Sequence, residues 1–178
     1  MPCAAVTAWH AALVKGQLKP GDTVVTLGTG GVSLFSAQFA LMTGARVIAT
    51  TGSDAKIGRL RELGVSEVIN YRTTPDWDVR VRELTGGRGA DLVVEVGGPG
   101  SVARSIAAIR YCGHISVVGN LAGKATIDPG ALFAKRASMC GIHVGSRDMF
   151  EAMNRAIEVA RLEPLIDRVF DFMEARAA

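Results

Sequence analysis

Short runs of apolar residues alternate with amphipathic segments along most of the chain, and Gly or Pro separates many of them. A run of about 4 to 8 apolar residues between turn signals is typical of a buried strand, whereas apolar residues spaced three and four apart indicate a helix. The pattern predicts six strands, at 23–27, 46–50, 66–71, 90–98, 114–120 and 137–145. It also predicts helices, at 3–15, 31–43, 53–64, 73–87, 101–113, 129–136 and 148–161.

Strand and helix alternate in this prediction, and each connection is long enough to hold a helix. Short apolar strands joined by such crossovers favour a parallel sheet with helices on both faces. We therefore predict an α/β fold: a doubly wound, six-stranded parallel sheet in a three-layer αβα arrangement. Residues 165–172 fit this pattern less well, because they resemble a further strand that has no obvious partner.

The length and composition indicate one globular domain. The chain has 178 residues, of which 48% are hydrophobic and 21% charged. This length suits a single domain with a sizeable core, and the composition is typical of an α/β protein rather than a disordered chain. The formal net charge is +3, but the Lys and Arg residues are scattered, so a nucleic-acid partner is not indicated.

The sequence shows no sign of a membrane or secretory location. No stretch reaches the roughly 18 uninterrupted apolar residues that span a bilayer, and the N-terminus lacks the features of a signal peptide. Cys3, Cys112 and Cys140 are far apart and form no CxxC pair, so neither a disulfide framework nor a self-contained structural zinc site is indicated. We therefore expect a cytoplasmic protein without a membrane partner.

Residues 24–40, VVTLGTGGVSLFSAQFA, predict a strand, a tight glycine turn and a helix. In a mononucleotide-binding βαβ unit, one glycine permits the turn, a second lets the backbone approach a diphosphate, and the helix start provides unpaired N–H groups. The candidate cofactor contacts in this turn are Gly28, Thr29, Gly30, Gly31 and Val32. Ser33 replaces the third glycine of the GxGxxG pattern, where a small residue can still serve helix–strand packing. The alternative is a glycine-rich turn without a ligand.

The place of this turn, after the first of six strands, favours a dinucleotide site. A ligand crevice is expected where the strand order reverses beside the first strand. The sequence GGPG, at 97–100 after the fourth strand, is predicted to form the other wall of that crevice.

The residues after the second strand bear on which dinucleotide binds. Sites for NAD usually carry Asp or Glu about 20 residues beyond the glycines, where the carboxylate binds the ribose 2′-OH. Here Thr51, Gly52 and Ser53 occupy that place, with Lys56 close behind. A neutral loop beside a lysine favours the 2′-phosphate of NADP(H) over the 2′-OH of NAD(H), so Thr51, Ser53 and Lys56 are candidate cofactor contacts. Asp54 is the contrary observation, and we interpret it as a helix N-cap.

Several segments together resemble the cofactor-binding domain of the medium-chain dehydrogenase/reductases. In order along the chain they are LKPGDTVVTLGTGGVSLFSAQFA, GARVIATTGS, ELGVSEVINY, LTGGRGADLVVEVGG and RYCGHISVVGN. The similarity is greatest to the zinc-type alcohol dehydrogenase-like and quinone oxidoreductase-like branches. The resemblance implies a Rossmann fold, and an enzyme that transfers hydride between a nicotinamide dinucleotide and a carbonyl, alcohol or quinone substrate.

The resemblance also implies site residues beyond the glycine turn. In quinone reductase-like members a lysine after strand 2 and a tyrosine after strand 3 hold the 2′-phosphate, and Lys56 and Tyr71 stand there, with Arg72 a weaker candidate. The nicotinamide lies against the loops after strands 4, 5 and 6, which implies contacts with Val96, Gly97, Gly119, Asn120, Val144 and Ser146. The alternatives are a solvated helix residue for Lys56, a cap on the sheet edge for Tyr71, and a turn residue for Asn120.

Family members place the substrate pocket and most zinc ligands in a separate catalytic domain. We therefore expect residues 1–178 to form a single dinucleotide-binding domain, with 1–16 and 164–178 as border segments to an absent catalytic domain. No catalytic residue is assigned. The chain alone is expected to bind the cofactor without efficient turnover, since the cofactor carries the hydride and the protein supplies binding and orientation.

Cys3, in CAAVT, stands where zinc-dependent members place one catalytic ligand. A catalytic zinc needs three protein ligands and an open position, and none of His10, His114 and His143 completes such a set. We therefore interpret Cys3 as a small helix residue and expect no zinc in this chain.

Assembly and alternative functions complete the expectations. If strand 6, near 138–144, lies at an exposed sheet edge, it can pair with a second copy, so we predict a homodimer through this strand, as is common in the family. The chain could instead be a non-catalytic dinucleotide-binding module with a sensing or regulatory role, because fold does not determine function. An adenosylmethionine-dependent methyltransferase is disfavoured, since such enzymes generally carry an acidic residue after strand 2.

Overall fold

Six strands form one parallel sheet in the computed structural model, which describes residues 2–119, 123, 126–166 and 168–176. The strands are β1 (Thr23–Leu27), β2 (Arg46–Thr51), β3 (Glu67–Asn70), β4 (Ala90–Glu95), β5 (Ile109–Val117) and β6 (Ser138–Gly141). Their order across the sheet is β3-β2-β1-β4-β5-β6, and neighbouring strands pair in parallel. The order reverses between β1 and β4, so their carboxyl ends border the crevice expected of a doubly wound sheet.

Helices connect the strands. They are α1 (Ala4–Trp9), α2 (Gly31–Met42), α3 (Ile57–Glu62), α4 (Trp77–Leu84), α5 (Val102–Ala108), α6 (Pro129–Lys135) and α7 (Arg147–Ala160). A π-helical segment, His10–Lys15, continues α1. Short 3-10 turns precede α3 (Asp54–Lys56) and α5 (Gly98–Gly100), and another lies near the end of the chain (Phe172–Glu174). Within the described part of the chain, no helix has both the length and the apolar character needed to cross a membrane.

The helices cover both faces of the sheet, because successive strand residues point to opposite sides. Val24 of β1 belongs to the same buried cluster as Leu60 of α3. Val25, the next residue, belongs to a second cluster that includes Val81 of α4 and Ile106 of α5. The predicted α/β fold, a doubly wound six-stranded parallel sheet in three αβα layers, is therefore confirmed, and its strand order is that of the Rossmann fold.

Several predicted element bounds are wrong, among them the start of β5, which is predicted at 114 and lies at Ile109. The strand predicted at 90–98 ends at Glu95, and the strand predicted at 137–145 runs only from Ser138 to Gly141. The helix predicted at 101–113 ends at Ala108, and β5 begins with the next residue.

Helix α5 ends early because the chain joins the sheet at Ile109. Ile109 pairs with Ala90 of β4, and a register shift follows before the pairing resumes. The Lys135 ammonium donates hydrogen bonds to the carbonyls of Ala107 (2.5 Å) and Ile109 (2.6 Å), so it satisfies backbone acceptors at this junction. Burial lowers the pKa of Lys135. Ile106 and Ile109 are spaced as in a helix, which is why periodicity alone extended α5 too far.

The first segment of the chain packs outside the sheet, on α2. Ala5, Phe39 and Met153 are buried together where α1, α2 and α7 meet. Trp9 contacts Phe39 edge-on, with ring centroids 5.4 Å apart. The assignment of 1–16 and 164–178 as domain borders stays a prediction.

The last segment is held to the body of the protein by side chains that bind its backbone. Gln38 donates from Nε2 to the carbonyl of Glu163 (2.7 Å), and Arg59 donates from Nη2 to the carbonyl of Ile166 (3.3 Å). The extra strand considered at 165–172 is absent from the part of this segment that the structure describes, residues 165–166 and 168–172.

Candidate functional site

A large cavity lies at the carboxyl ends of β1 and β4, where the strand order reverses. It is a cleft of about 1110 Å³, large enough for a sizeable organic ligand. Eight of the predicted site residues line it: Gly28, Gly30, Gly31, Val32, Tyr71, Val96, Gly97 and Gly119. The structure therefore brings both predicted walls, the glycine turn and the loop after β4, together around one space.

The glycine turn follows β1 directly and needs glycine at its first position. Gly28 has a φ of +75°, in the left-handed region that side chains disfavour, and its N–H donates to the carbonyl of Thr50 on β2 (2.9 Å). A side chain at Gly30 would meet no protein atom within 4 Å, so no internal packing contact requires glycine at this position. The surface there is bare backbone facing the cleft.

The start of α2 presents unpaired N–H groups to this space. The helix begins at Gly31, and Leu34 N–H donates to the carbonyl of Gly30 (3.0 Å). The amides of the first turn precede that bond and have no acceptor within the helix. Gly30, at the N-cap, has no side chain to satisfy them, and the first turn carries no acidic residue. Such a helix start attracts an anion.

Ser33, at the third position of the glycine pattern, has the packing role expected for it. Its side chain is buried, and its hydroxyl donates to the carbonyl of Leu27 at the end of β1 (2.6 Å). This bond fixes the start of α2 close to the strand. The replacement of glycine by serine therefore preserves the geometry of the turn.

The loop after β2 uses two of its polar side chains in hydrogen bonds within the protein. Thr51 is buried, and its Oγ1 accepts a hydrogen bond from Ser53 N–H (3.2 Å), so the threonine hydroxyl is used within the turn. Asp54 accepts a hydrogen bond from Nδ2 of Asn70 (2.6 Å). The interpretation of Asp54 as an N-cap is wrong, because Ser53 precedes the 3-10 turn and Asp54 is its first residue. Neither Thr51 nor Ser53 lines the cleft.

Lys56 and Tyr71 flank the glycine turn from two directions. Lys56 donates from Nζ to Oγ1 of Thr29 (3.1 Å), and both residues line a second cavity of about 410 Å³. Tyr71 lines the main cleft and covers Gly52, since a Cβ on that glycine would lie 2.5 Å from the phenol oxygen. The structure thus places both side chains at the loop after β2, but Lys56 lines the second cavity and Tyr71 lines the main cleft.

The opposite wall of the cleft, the loop after β4, depends on Glu95, which is not among the predicted site residues. Glu95, at the end of β4, is fully buried, and its Oε1 accepts hydrogen bonds from the N–H groups of Gly97 (2.7 Å) and Gly98 (3.0 Å). The Gly97 N–H is therefore occupied within the protein and is not a free donor. The signal that could have revealed Glu95 was an acidic residue within the otherwise apolar run LVVEV.

Other lining residues also went unpredicted. Pro75 and Trp77 line the cleft, and so do Ser101 and Arg104 at the start of α5. The Arg104 guanidinium pairs with two carboxylates, those of Asp76 (3.0 Å) and Asp78 (2.5 Å).

Two predicted nicotinamide contacts, Val144 and Ser146, lie elsewhere. Val144 offers its carbonyl to Nδ1 of His10 (2.8 Å), and Ser146 caps α7 by accepting a hydrogen bond from Met149 N–H (3.2 Å). Neither residue lines the cleft, so their cofactor role stays a prediction. Asn120 lies outside the described residues.

The described residues do not form a metal site. Among residues 2–119, 123, 126–166 and 168–176, no group of three His, Cys, Asp or Glu side chains is placed to hold an ion. Cys3 is exposed at the start of α1, where its carbonyl accepts hydrogen bonds from the N–H (2.9 Å) and hydroxyl (2.7 Å) of Thr7. The residues present in this part of the chain thus do not fit a catalytic zinc.

The sequence matches a family model described as zinc-binding dehydrogenase over residues 31–158. The zinc-type alcohol dehydrogenase-like protein C1773.06c of Schizosaccharomyces pombe is 40% identical to this chain over 185 residues, which cover 100% of the chain and 54% of the relative.

Solved structures of other proteins share the fold. An NAD-dependent alcohol dehydrogenase, 36% identical with a TM-score of 0.85, matches 93% of this chain and 48% of its own. The 2-octenoyl-CoA carboxylase reductase CinF, in complex with NADP and 2-octenoyl-CoA, is 27% identical with a TM-score of 0.87, and the match covers 99% of this chain and 44% of CinF. The chain therefore spans about half the length of these relatives. It belongs to the zinc-binding dehydrogenase family of medium-chain dehydrogenase/reductases, as an NAD(P)-binding domain.

Proposed function

We propose that this chain is the NADP(H)-binding part of an oxidoreductase that transfers hydride between the nicotinamide and a carbonyl, alcohol or quinone substrate. The observation that carries the proposal is the cleft at the β1–β4 switch point, where the unpaired amides at the start of α2 face a large open space. A dinucleotide places its diphosphate at such a helix start.

The division of labour follows from this arrangement. When bound, the nicotinamide ring supplies the hydride chemistry, and the protein supplies binding and orientation. The residues of this chain would hold the diphosphate with backbone N–H groups and keep the adenosine half beside β2 and β3. The nicotinamide half would then lie over β4 and β5, on the other side of the switch point.

The preference for NADP(H) rests on the charges around the glycine turn. The Lys56 ammonium lies over Thr29, within the turn itself (3.1 Å). The nearby Asp54 carboxylate, which could bind a ribose 2′-OH, is instead engaged by Asn70 (2.6 Å). A cation beside a neutral loop favours a 2′-phosphate. The relatives differ on this point, since one is described as NAD-dependent and CinF was solved with NADP.

Partners and location belong to the same proposal. A substrate would require the part of the relatives that this chain does not span, and the chain is expected to be inactive without it. A cytoplasmic location is supported by the free thiols of Cys3, Cys112 and Cys140, since secreted proteins usually pair their cysteines.

Calorimetric titration of NADPH and NADH tests the cofactor assignment. We expect the unchanged chain to bind NADPH more tightly than NADH. Replacing Lys56 by Ala should weaken NADPH binding about tenfold, the value of one charge-assisted hydrogen bond, and leave NADH binding within about twofold.

Lys19→Ala is the matched control, because this exposed lysine precedes β1, at the end of the strands opposite to the cleft. It removes the same charge and should leave both affinities unchanged. A preference for NADPH that survives Lys56→Ala would remove Lys56 from the site, and a chain that binds neither nucleotide would refute the proposed function.

A further inference from the structure

Glu95 is a buried carboxylate on the face of the sheet that packs against α5. Along β4, Val93 and Glu95 point to the same face of the sheet, and Val93 packs there in the cluster that contains Ile106 of α5. The exposed fraction of Glu95 is 0%. Burying a charged group is costly unless hydrogen bonds compensate, so a carboxylate here calls for a specific set of donors.

The carboxylate has four such donors, and together they define the loop after β4. Oε1 accepts hydrogen bonds from the N–H groups of Gly97 and Gly98 and from the hydroxyl of Ser101 (2.5 Å). Oε2 accepts one from the hydroxyl of Ser105 on α5, which is also fully buried. One side chain thus fixes the path of the loop and the position of the start of α5.

The main chain of Glu95 holds the neighbouring wall. Its carbonyl accepts hydrogen bonds from the N–H groups of Val118 (2.8 Å) and Gly119 (3.2 Å), just beyond β5. The backbone there lies against the loop after β4, since a Cβ on Gly119 would be 2.0 Å from the carbonyl oxygen of Val96. Residues from both segments line the cleft.

We propose that Glu95 is a positioning residue that sets the nicotinamide half of the cofactor cleft, through its carboxylate on one wall and its carbonyl on the other. The inference rests on the proposed function. Glu95 itself need not touch the cofactor, because its oxygens are already occupied by protein donors. Its influence should be confined to the β4–β5 side, since Lys56 and Tyr71 lie by β2 and β3 on the other side of β1.

The test compares two ligands on the same chain. NADPH spans both halves of the cleft, and adenosine 2′,5′-bisphosphate carries only the adenosine half. We expect Glu95→Ala to weaken NADPH binding at least about tenfold, and binding of the bisphosphate by less than about twofold. In Glu95→Gln, the ratio of NADPH affinity to bisphosphate affinity should lie within about threefold of the ratio in the unchanged chain. The amide oxygen of Gln can accept the three bonds of Oε1, and its amide N–H can donate to Ser105 Oγ.

Ser105→Ala keeps the test decisive if Glu95→Ala fails to fold. Ser105 contacts Glu95 and does not line the cleft, so its effect on NADPH must pass through the carboxylate. We expect a selective loss of NADPH affinity of about threefold, since one of four hydrogen bonds is removed.

Asp91→Ala is the matched control. Asp91 is a buried carboxylate on the same strand with several donors, but it lies at the opposite end, away from the cleft. Its loss should lower stability and leave the ratio of the two affinities unchanged. The inference about Glu95 would be overturned if the Glu95 and Ser105 variants bound both ligands equally more weakly, or if their NADPH affinity were unchanged. Either result would leave the proposed function standing. If the unchanged chain bound neither ligand, the proposed function would fail with the inference.

Discussion

Two buried carboxylates mark the two ends of β4, and they stabilise different parts of the protein. Glu95 organises the cleft, whereas Asp91 joins segments at the amino end of the sheet. Asp91 accepts hydrogen bonds from Thr23 N–H (2.8 Å), from Arg88 (2.5 and 2.8 Å) and from Arg110 (2.5 Å). Burial disfavours its charged form, but the hydrogen bonds from Arg88, Thr23 and Arg110 outweigh burial and lower the pKa of Asp91.

Replacing Asp91 by Asn should reduce the free energy of unfolding at pH 7 by about 2 kcal/mol, as for the loss of hydrogen bonds to a charged group. Because the folded-state pKa lies below the unfolded value of about 3.9, this stabilisation is present above that pH and is lost as the pH falls towards the folded pKa. The gap between the variant and the unchanged chain should therefore narrow below about pH 4. Urea unfolding of both proteins, at pH 7 and below pH 4, measures this difference in the free energy of unfolding.

Glu62→Gln controls for the removal of one negative charge, since Glu62 is exposed at the end of α3. It should change stability by less than about 0.5 kcal/mol at either pH. A difference between Asp91→Asn and the unchanged chain that stays constant down to pH 3 would show that the Asp91 charge does not contribute.

At the scale of elements, the residue that precedes α7 has a structural role as a helix cap and a predicted role in the cofactor site. Ser146 precedes the 14-residue helix α7, and its hydroxyl accepts a hydrogen bond from Met149 N–H (3.2 Å). The same residue is predicted from the family resemblance to contact the nicotinamide. The N-cap accounts for a hydroxyl at this position without a ligand.

Substitution of Ser146 separates the two roles. Ser146→Ala should lower the free energy of unfolding by about 1 kcal/mol, the usual value of a lost N-cap, and Ser146→Asp should retain most of it. Thermal or urea unfolding measures the change, with NADPH titration alongside. Weaker NADPH binding in both variants would support the predicted cofactor contact, whereas unchanged binding would leave the cap as the only role.

At the scale of the whole molecule, the sheet has two terminal strands, β3 and β6. A terminal strand has unpaired backbone groups that can pair with another chain. The side chains of β6 are exposed or half-buried, and Phe133, on the neighbouring α6, is 85% exposed. These features agree with the homodimer that the sequence predicts, in which β6 of each copy would meet at a two-fold axis.

Sedimentation velocity over a range of concentrations should show a dimer. Hydrogen exchange should then show that amides of Ser138–Gly141 gain protection as concentration rises, because they become paired between copies. Strand β3 (Glu67–Asn70) is the internal control, and its protection should not change. A monomer at every concentration, or protection that rises at β3 instead, would contradict the predicted interface.

Much of the fold could be predicted because the information is local. The strand at 23–27 and the glycine turn after it are set by adjacent residues, and the structure places them as the pattern indicates. The end of α5 could not be predicted in this way. There the pairing of Ile109 with Ala90 and the hydrogen bond from Lys135 to Ile109 act across 19 and 26 residues of sequence, and they override a helical spacing.

The sequence by itself determined the layered architecture and the first wall of the cleft, since hydrophobic periodicity and backbone conformation depend on near neighbours. Only the tertiary structure decided how the walls meet. It joined Glu95 to Ser105 and Gly119, engaged Asp54 with Asn70, and placed Lys56 and Tyr71 in separate cavities. These contacts depend on where the carboxyl ends of distant strands converge, which is set by the order of strands in the sheet and not by any short segment.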